Sequence, residues 1–114
     1  MMNDTHTRRA RKARNYHDGH LQAFQLGPRN ELILSIFLDP VWNPDGPVVA
    51  RIRFGAIKNM AEVRRFMSAF DEHDEGRDFL CDVLSIVELA KATWVVDLEP
   101  QGKLRILSAK CREL

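Results

Sequence analysis

Two segments of this chain alternate apolar and polar residues with a period of two. Residues 48–54 read Val-Val-Ala-Arg-Ile-Arg-Phe, and residues 31–38 read Glu-Leu-Ile-Leu-Ser-Ile-Phe-Leu. Successive side chains of a strand point to opposite faces of a sheet, so each segment presents one wholly apolar face. The pattern predicts two strands of a sheet that covers a core, with Arg51 and Arg53 facing water.

Further strands are predicted on both sides of this pair. Residues 21–26 precede a Gly-Pro-Arg-Asn turn and form a hairpin with 31–38, and residues 93–98 and 103–109 form a closing hairpin around Glu-Pro-Gln-Gly. Residues 82–90 are ambiguous. Their apolar positions suit a helix, whereas the run Val-Leu-Ser-Ile-Val is rich in strand-forming residues, and we favour a strand.

One helix is predicted over residues 60–70. Asn59 has the character of an N-cap, and Glu62 follows three residues later, where its side chain can reach back to the free amides. Apolar residues then recur at helical spacing: Met60, Val63, Phe66, Met67 and Phe70. We expect the apolar face of this helix to pack on the sheet.

These elements predict one α+β domain over residues 17–114, in which an antiparallel sheet of about five to six strands carries one main helix. The length of 114 residues suits a single domain, and 45% hydrophobic residues suffice for a core. The longest apolar runs are shorter than the ~20 residues that cross a bilayer. The sequence therefore predicts a cytoplasmic protein without a membrane partner.

Residues 1–16 are predicted to form a mobile basic arm because they offer few residues for burial. Residues 1–14 carry a charge of +4 and the other hundred carry −3. The cationic side chains would bind the phosphates of a nucleic acid, or form a solvated tail, or lie against the acidic segment 71–78. They are Arg8, Arg9, Arg11, Lys12 and Arg14.

His17, Asp18 and His20 form a local cluster of two imidazoles and a carboxylate. Such groups bind metal ions or act as general bases, here with His73 as a further candidate. The alternative is a turn with a histidine packed at the entrance of a strand. The chain has no recognisable catalytic or nucleotide-binding motif, so we expect neither a cofactor nor, on balance, an enzyme.

The remaining candidates are two thiols and one aromatic residue. Cys81 and Cys111 are 30 residues apart with no CxxC motif, so we expect two reduced, partly buried thiols rather than a disulfide or redox pair. Trp42 lies in a loop with three prolines, where it either contacts a partner or folds back on the sheet. Together with Arg51 and Arg53 it is the predicted partner-binding surface.

The order of elements is similar to that of small bacterial α+β proteins, among them immunity proteins of toxin systems of the immunity protein 50 type. The specific residues are His17-Asp18 at the entrance of the body and Ile52-Arg53-Phe54-Gly55 in the third strand, and the similarity spans about residues 17–111. The resemblance implies a non-enzymatic protein that acts by binding another protein, and it carries over no site residue.

The residues and the resemblance favour a protein-interaction module, either immunity-like or self-associating. The alternatives are a small metal-binding or hydrolytic protein that uses His17, Asp18 and His20, and a nucleic-acid binder that uses the basic arm.

Overall fold

The computed structural model describes residues 16, 19–41, 44, 48–72 and 79–114, with the backbone alone for 71 and 72. The described strands form one antiparallel sheet in the order β6-β5-β4-β1-β2-β3-β7. The strands are β1 (Gly19–Gly27), β2 (Glu31–Phe37), β3 (Val49–Gly55), β4 (Cys81–Ala90), β5 (Thr93–Glu99), β6 (Gly102–Leu107) and β7 (Lys110–Glu113).

The described residues form seven strands rather than the expected five to six, and they are predominantly β with one short α-helix. The additional strand arises at the C-terminus, where one strand was predicted over 103–109. The structure ends β6 at Leu107 and starts β7 at Lys110. β6 pairs with β5 and β7 pairs with β3, so the segment changes its neighbour at Ser108.

The sheet curls around its core. β6 and β7 occupy opposite edges, yet only two residues, Ser108 and Ala109, connect them. The edges must therefore approach to within about 11 Å, the reach of three extended residues. Phe54 of β3 also contacts Trp94 of β5 edge to face at a ring separation of 5.8 Å, although three strands lie between them in the sheet order.

Two β-bulges decide which side chains enter the core. The pairing of β1 with β2 shifts between Leu21 and Ala23, so that Leu21 and Phe24 both lie opposite core residues of β2. The pairing of β4 with β5 shifts in the same way between Val83 and Ser85, which places Val83 and Ile86 on the core face. The strand predicted over 82–90 is confirmed, and its helix-like spacing of three is produced by the bulge.

The predicted helix 60–70 is shorter than expected. The helix α1 (Met60–Met67) is followed by a 3-10 helix (Ser68–Glu72). Met60, Val63 and Met67 bury the inner face of α1, and the ring of Phe70 lies 5.8 Å from that of Phe24 on β1. No helix of the described residues is long and apolar enough to span a membrane.

Asn59 occupies the predicted N-cap position of α1, but its side chain has a different role. Its side chain makes no capping hydrogen bond to α1 and instead binds the edge of β6. Nδ2 donates to the carbonyl of Arg105 at 2.8 Å, and Oδ1 accepts from the amide of Leu107 at 2.9 Å. The same Nδ2 donates to Glu62 at 3.1 Å. Asn59 therefore covers the open edge of β6 as a neighbouring strand would.

Candidate functional site

A cationic cleft of about 560 Å³ opens where the turn after β1, the end of β3 and strand β7 meet. Four of its lining side chains are cationic and one, Glu31, is a carboxylate, so the lining carries a formal charge of +3. We call these residues the cationic cleft: Arg29, Glu31, Arg53, Gly55, Ala56, Lys110, Cys111 and Arg112.

Strand pairing positions the cations. Arg53 and Arg112 lie directly opposite each other on β3 and β7, and Lys110 lies opposite Gly55. Directly opposed residues of an antiparallel pair have Cα atoms about 4.5–5.5 Å apart and point to the same face. Because Lys110 and Arg112 are two positions apart on β7, both project to that face. Three cations therefore share one face at one edge of the sheet.

Arg53 is the one cation of the cleft with an ion pair among the described residues. Its Nη2 donates to Oε2 of Glu31 on the neighbouring strand. The exposed fraction of the side chain is 37% for Arg53 and 18% for Glu31, so the predicted water-facing Arg53 is half-buried and bound. Arg51 is exposed as expected, but it does not line the cleft.

Both thiols of the described chain are free and held in the protonated form. Burial, with a smaller contribution from the Glu88 carboxylate, raises the pKa of Cys111 to about 12. Burial, and then Asp82, raises the pKa of Cys81 to about 12. Thiolates are the nucleophiles and metal ligands of cysteine chemistry. Cys111 therefore lines the cleft as a small neutral group at neutral pH.

The thiols give a pH prediction. At pH 8 both should react with iodoacetamide at least a hundredfold more slowly in the folded chain than in the urea-unfolded chain, whose thiols titrate near the usual ~8.5. The pKa of each thiol is about 12 in the folded chain, which is higher than in the unfolded chain. The stability that the protonated thiols contribute is therefore present below about pH 8.5 and is lost as the pH rises toward 12. Mass spectrometry of labelled protein measures the rates. Equal rates at pH 8 would contradict the buried state.

His20 is the part of the predicted histidine cluster that the structure describes. Its Nδ1 lies 2.8 Å from Oδ1 of Asp82 across the β1–β4 pair, and its ring stacks on Phe79 at 4.8 Å. His17, Asp18 and His73 lie outside the described residues. Among the residues that are described, no group of three potential metal ligands occurs. His20 therefore packs beside Phe79 near the start of β1, and sequence reasoning missed its partner Asp82.

The structure brings only part of the predicted partner-binding surface into the candidate site. Arg53 lines the cleft, and Arg51 lies on the same face of β3. Trp42 and residues 1–15 of the predicted basic arm lie outside the described residues. Sequence reasoning missed Arg29, Lys110 and Arg112. The sequence did contain a signal for Lys110 and Arg112. These two cations flank Cys111, and such alternation is typical of a strand.

Comparison with known proteins gives no relative of this chain. No family model matches it. No curated protein and no solved structure is significantly similar to it. The geometry of the cationic cleft is therefore the basis for a functional conclusion.

Proposed function

We propose that this protein is a non-enzymatic interaction module that binds an acidic segment of a partner protein in the cationic cleft. The observation that carries the proposal is the cluster of four cations around one carboxylate among the described residues of the lining. In the described parts of the chain, Arg29, Lys110 and Arg112 form no ion pair. Arg53 is the one cation of the cleft that is paired there, and its partner is Glu31. An anionic ligand would complete the pairing that the fold leaves incomplete.

Electrostatic cost supports this proposal. Like charges that face each other directly across two strands destabilise a sheet, and Arg53 and Arg112 are such a pair, of which Glu31 neutralises only Arg53. A carboxylate between two guanidinium groups removes the repulsion and forms charge-assisted hydrogen bonds, which are about twice as strong as neutral ones. Arginine also presents a planar fork of donors that matches the two oxygens of a carboxylate.

An acidic protein segment fits the cleft better than a nucleic acid. Among the described residues, the lining holds charged and small side chains and no aromatic ring on which a base could stack. The chain from residue 15 to 114 carries 12 Lys and Arg residues against 15 Asp and Glu residues. A long polyanion would meet repulsion from the rest of this body, whereas a short acidic segment would contact the cleft alone.

The test is the affinity for a fluorescent, end-blocked hexaglutamate peptide, measured by anisotropy at low salt. Replacing Lys110 and Arg112 together with alanine should weaken binding at least tenfold, because two of the four cations are lost. The matched control is Arg64→Ala with Arg65→Ala, which removes two exposed cations from α1. All three proteins keep the basic arm, so its contribution cancels in the comparison.

Equal affinity of wild type and the Lys110/Arg112 variant would reject the cleft as the binding site. Stronger, cleft-dependent binding of a single-stranded oligonucleotide would reject the acidic-peptide ligand in favour of a nucleic acid.

Two forms of the proposal differ in the partner. In an immunity-like role the partner is a different protein, which should co-purify with the chain from its source cell. In a self-associating role the partner is a second copy, which light scattering would detect as a concentration-dependent increase in mass. Loss of either association in the Lys110/Arg112 variant would assign it to the cationic cleft.

A further inference from the structure

We propose that Glu31 is a built-in carboxylate ligand of the cationic cleft, and that it restricts the cleft to partner segments that bring two or more carboxylates in an extended conformation. The proposal rests on the proposed function and names its ligand class.

Strand pairing places Glu31 at the cationic cleft. Glu31 begins β2 directly opposite Gly27 at the end of β1. A side chain at Gly27 would meet Oε1 of Glu31 at 2.5 Å, so the carboxylate occupies the space that the glycine leaves open. From there Glu31 accepts the hydrogen bond from Arg53. The carboxylate therefore lies in the cleft, paired with Arg53.

Glu31 opposes a ligand with a single charge. An incoming carboxylate that approaches Arg53 must compete with Glu31 and is repelled by it, and charges at a partly buried site are screened less than charges in water. Arg29, Lys110 and Arg112 have no such internal ligand among the described residues. A segment with two carboxylates contacts at least two of these cations, and its attraction exceeds the repulsion from Glu31.

The spacing of the cations indicates an extended segment. Lys110 and Arg112 occupy alternate positions of β7, which places them about 7 Å apart along the strand. Acidic side chains at positions i and i+2 of an extended peptide have the same separation. Glu31 is itself a carboxylate on an extended strand, and it pairs with the Arg53 guanidinium. A single phosphate would engage one cation or two adjacent ones and leave the others unpaired.

The test compares Glu31→Gln with wild type in binding a blocked peptide of alternating Glu and Thr. Glutamine keeps the shape and the acceptor oxygen but removes the charge, so affinity should rise three- to tenfold at low salt. A peptide with one Glu should also bind the variant more tightly than the wild type. The matched control is Glu62→Gln, which removes the carboxylate of the other Glu–Arg pair, 3.2 Å from Arg105, and should change affinity less than twofold.

Glu31→Ala distinguishes repulsion of the ligand by Glu31 from positioning of Arg53 by Glu31. It removes both the negative charge and the acceptor of the hydrogen bond from Arg53. If Glu31 acts by repelling the ligand, this variant must also bind the Glu-Thr peptide more tightly than the wild type. Unchanged or weaker binding by both variants would overturn the proposal and show that Glu31 positions Arg53. Tighter binding of a phosphoserine peptide of equal charge than of the Glu-Thr peptide would overturn the carboxylate class.

Failure of this proposal is distinguishable from failure of the proposed function. If the Lys110/Arg112 variant binds hexaglutamate like wild type, the cleft is not the site. If that variant loses binding while Glu31→Gln gains none, the cleft is the site and Glu31 does not restrict it.

Discussion

Replacing Phe54 with alanine should lower the free energy of unfolding by about 3–5 kcal/mol, the usual cost of deleting a fully buried phenylalanine ring. Phe54 is wholly buried on β3, where it contacts Trp94 edge to face across the curled sheet. The substitution would leave a cavity between the two sides of the sheet, and it would also remove an aromatic contact worth about 0.5–1.5 kcal/mol beyond its buried area.

Urea denaturation followed by tryptophan fluorescence and circular dichroism measures this change. Leu89→Ala is the control, because its side chain is 69% exposed and its truncation should cost less than about 0.5 kcal/mol. A loss below about 1 kcal/mol for Phe54→Ala would show that the Phe54–Trp94 contact does not hold the sheet closed. Since Arg53 and Gly55 flank Phe54 and line the cleft, we also expect weaker hexaglutamate binding by this variant.

Replacing Ser108 with alanine should cost about 1–3 kcal/mol, the penalty for leaving buried polar groups without partners. Ser108 is buried at the crossover from β6 to β7. Its hydroxyl donates to the carbonyl of Gly55 at 2.7 Å and accepts from the amide of Lys110 at 3.2 Å. Gly55 and Lys110 both line the cationic cleft. The hydrogen bonds of Ser108 therefore stabilise the crossover and also hold two residues of the candidate site in position.

Ser68→Ala is the matched control for Ser108. The hydroxyl of Ser68 also donates to a backbone carbonyl, that of Arg65 at 2.6 Å, but this bond is exposed and water replaces it. We expect a change of less than about 0.5 kcal/mol for Ser68→Ala. Equal effects of the two substitutions in thermal denaturation would contradict a structural role of the crossover hydroxyl.

The predicted strands differ in how directly their sequences indicated their structure. β2 and β3 alternate without interruption, and each residue pairs in regular register with the neighbouring strand. In β4 the bulge after Val83 turns the spacing of two into a spacing of three, which a helix also has. The ambiguity over residues 82–90 therefore has a physical cause, because a bulge is decided by pairing with a neighbour and not by the strand itself.

The candidate site was less predictable than the fold. Sequence reasoning found Arg53 because it alternates within a clear strand, and it missed Lys110 and Arg112 because a strand from 103 to 109 left no place for a separate β7. Sequence reasoning also predicted that Arg53 faces water. Nothing near Arg53 in the sequence indicates that it forms an ion pair with Glu31, which lies twenty-two positions earlier.

The sequence by itself determined the period-two strands and the amphipathic face of α1, because each depends on residues close together in the chain. The tertiary structure alone decided the bulge registers, the change of partner at Ser108 and the gathering of cations from the β1–β2 turn, β3 and β7 into one cleft. These features depend on strand pairing between distant segments. A shift of one residue in that pairing would turn Arg112 to the opposite face of the sheet and separate it from the other cations of the cleft.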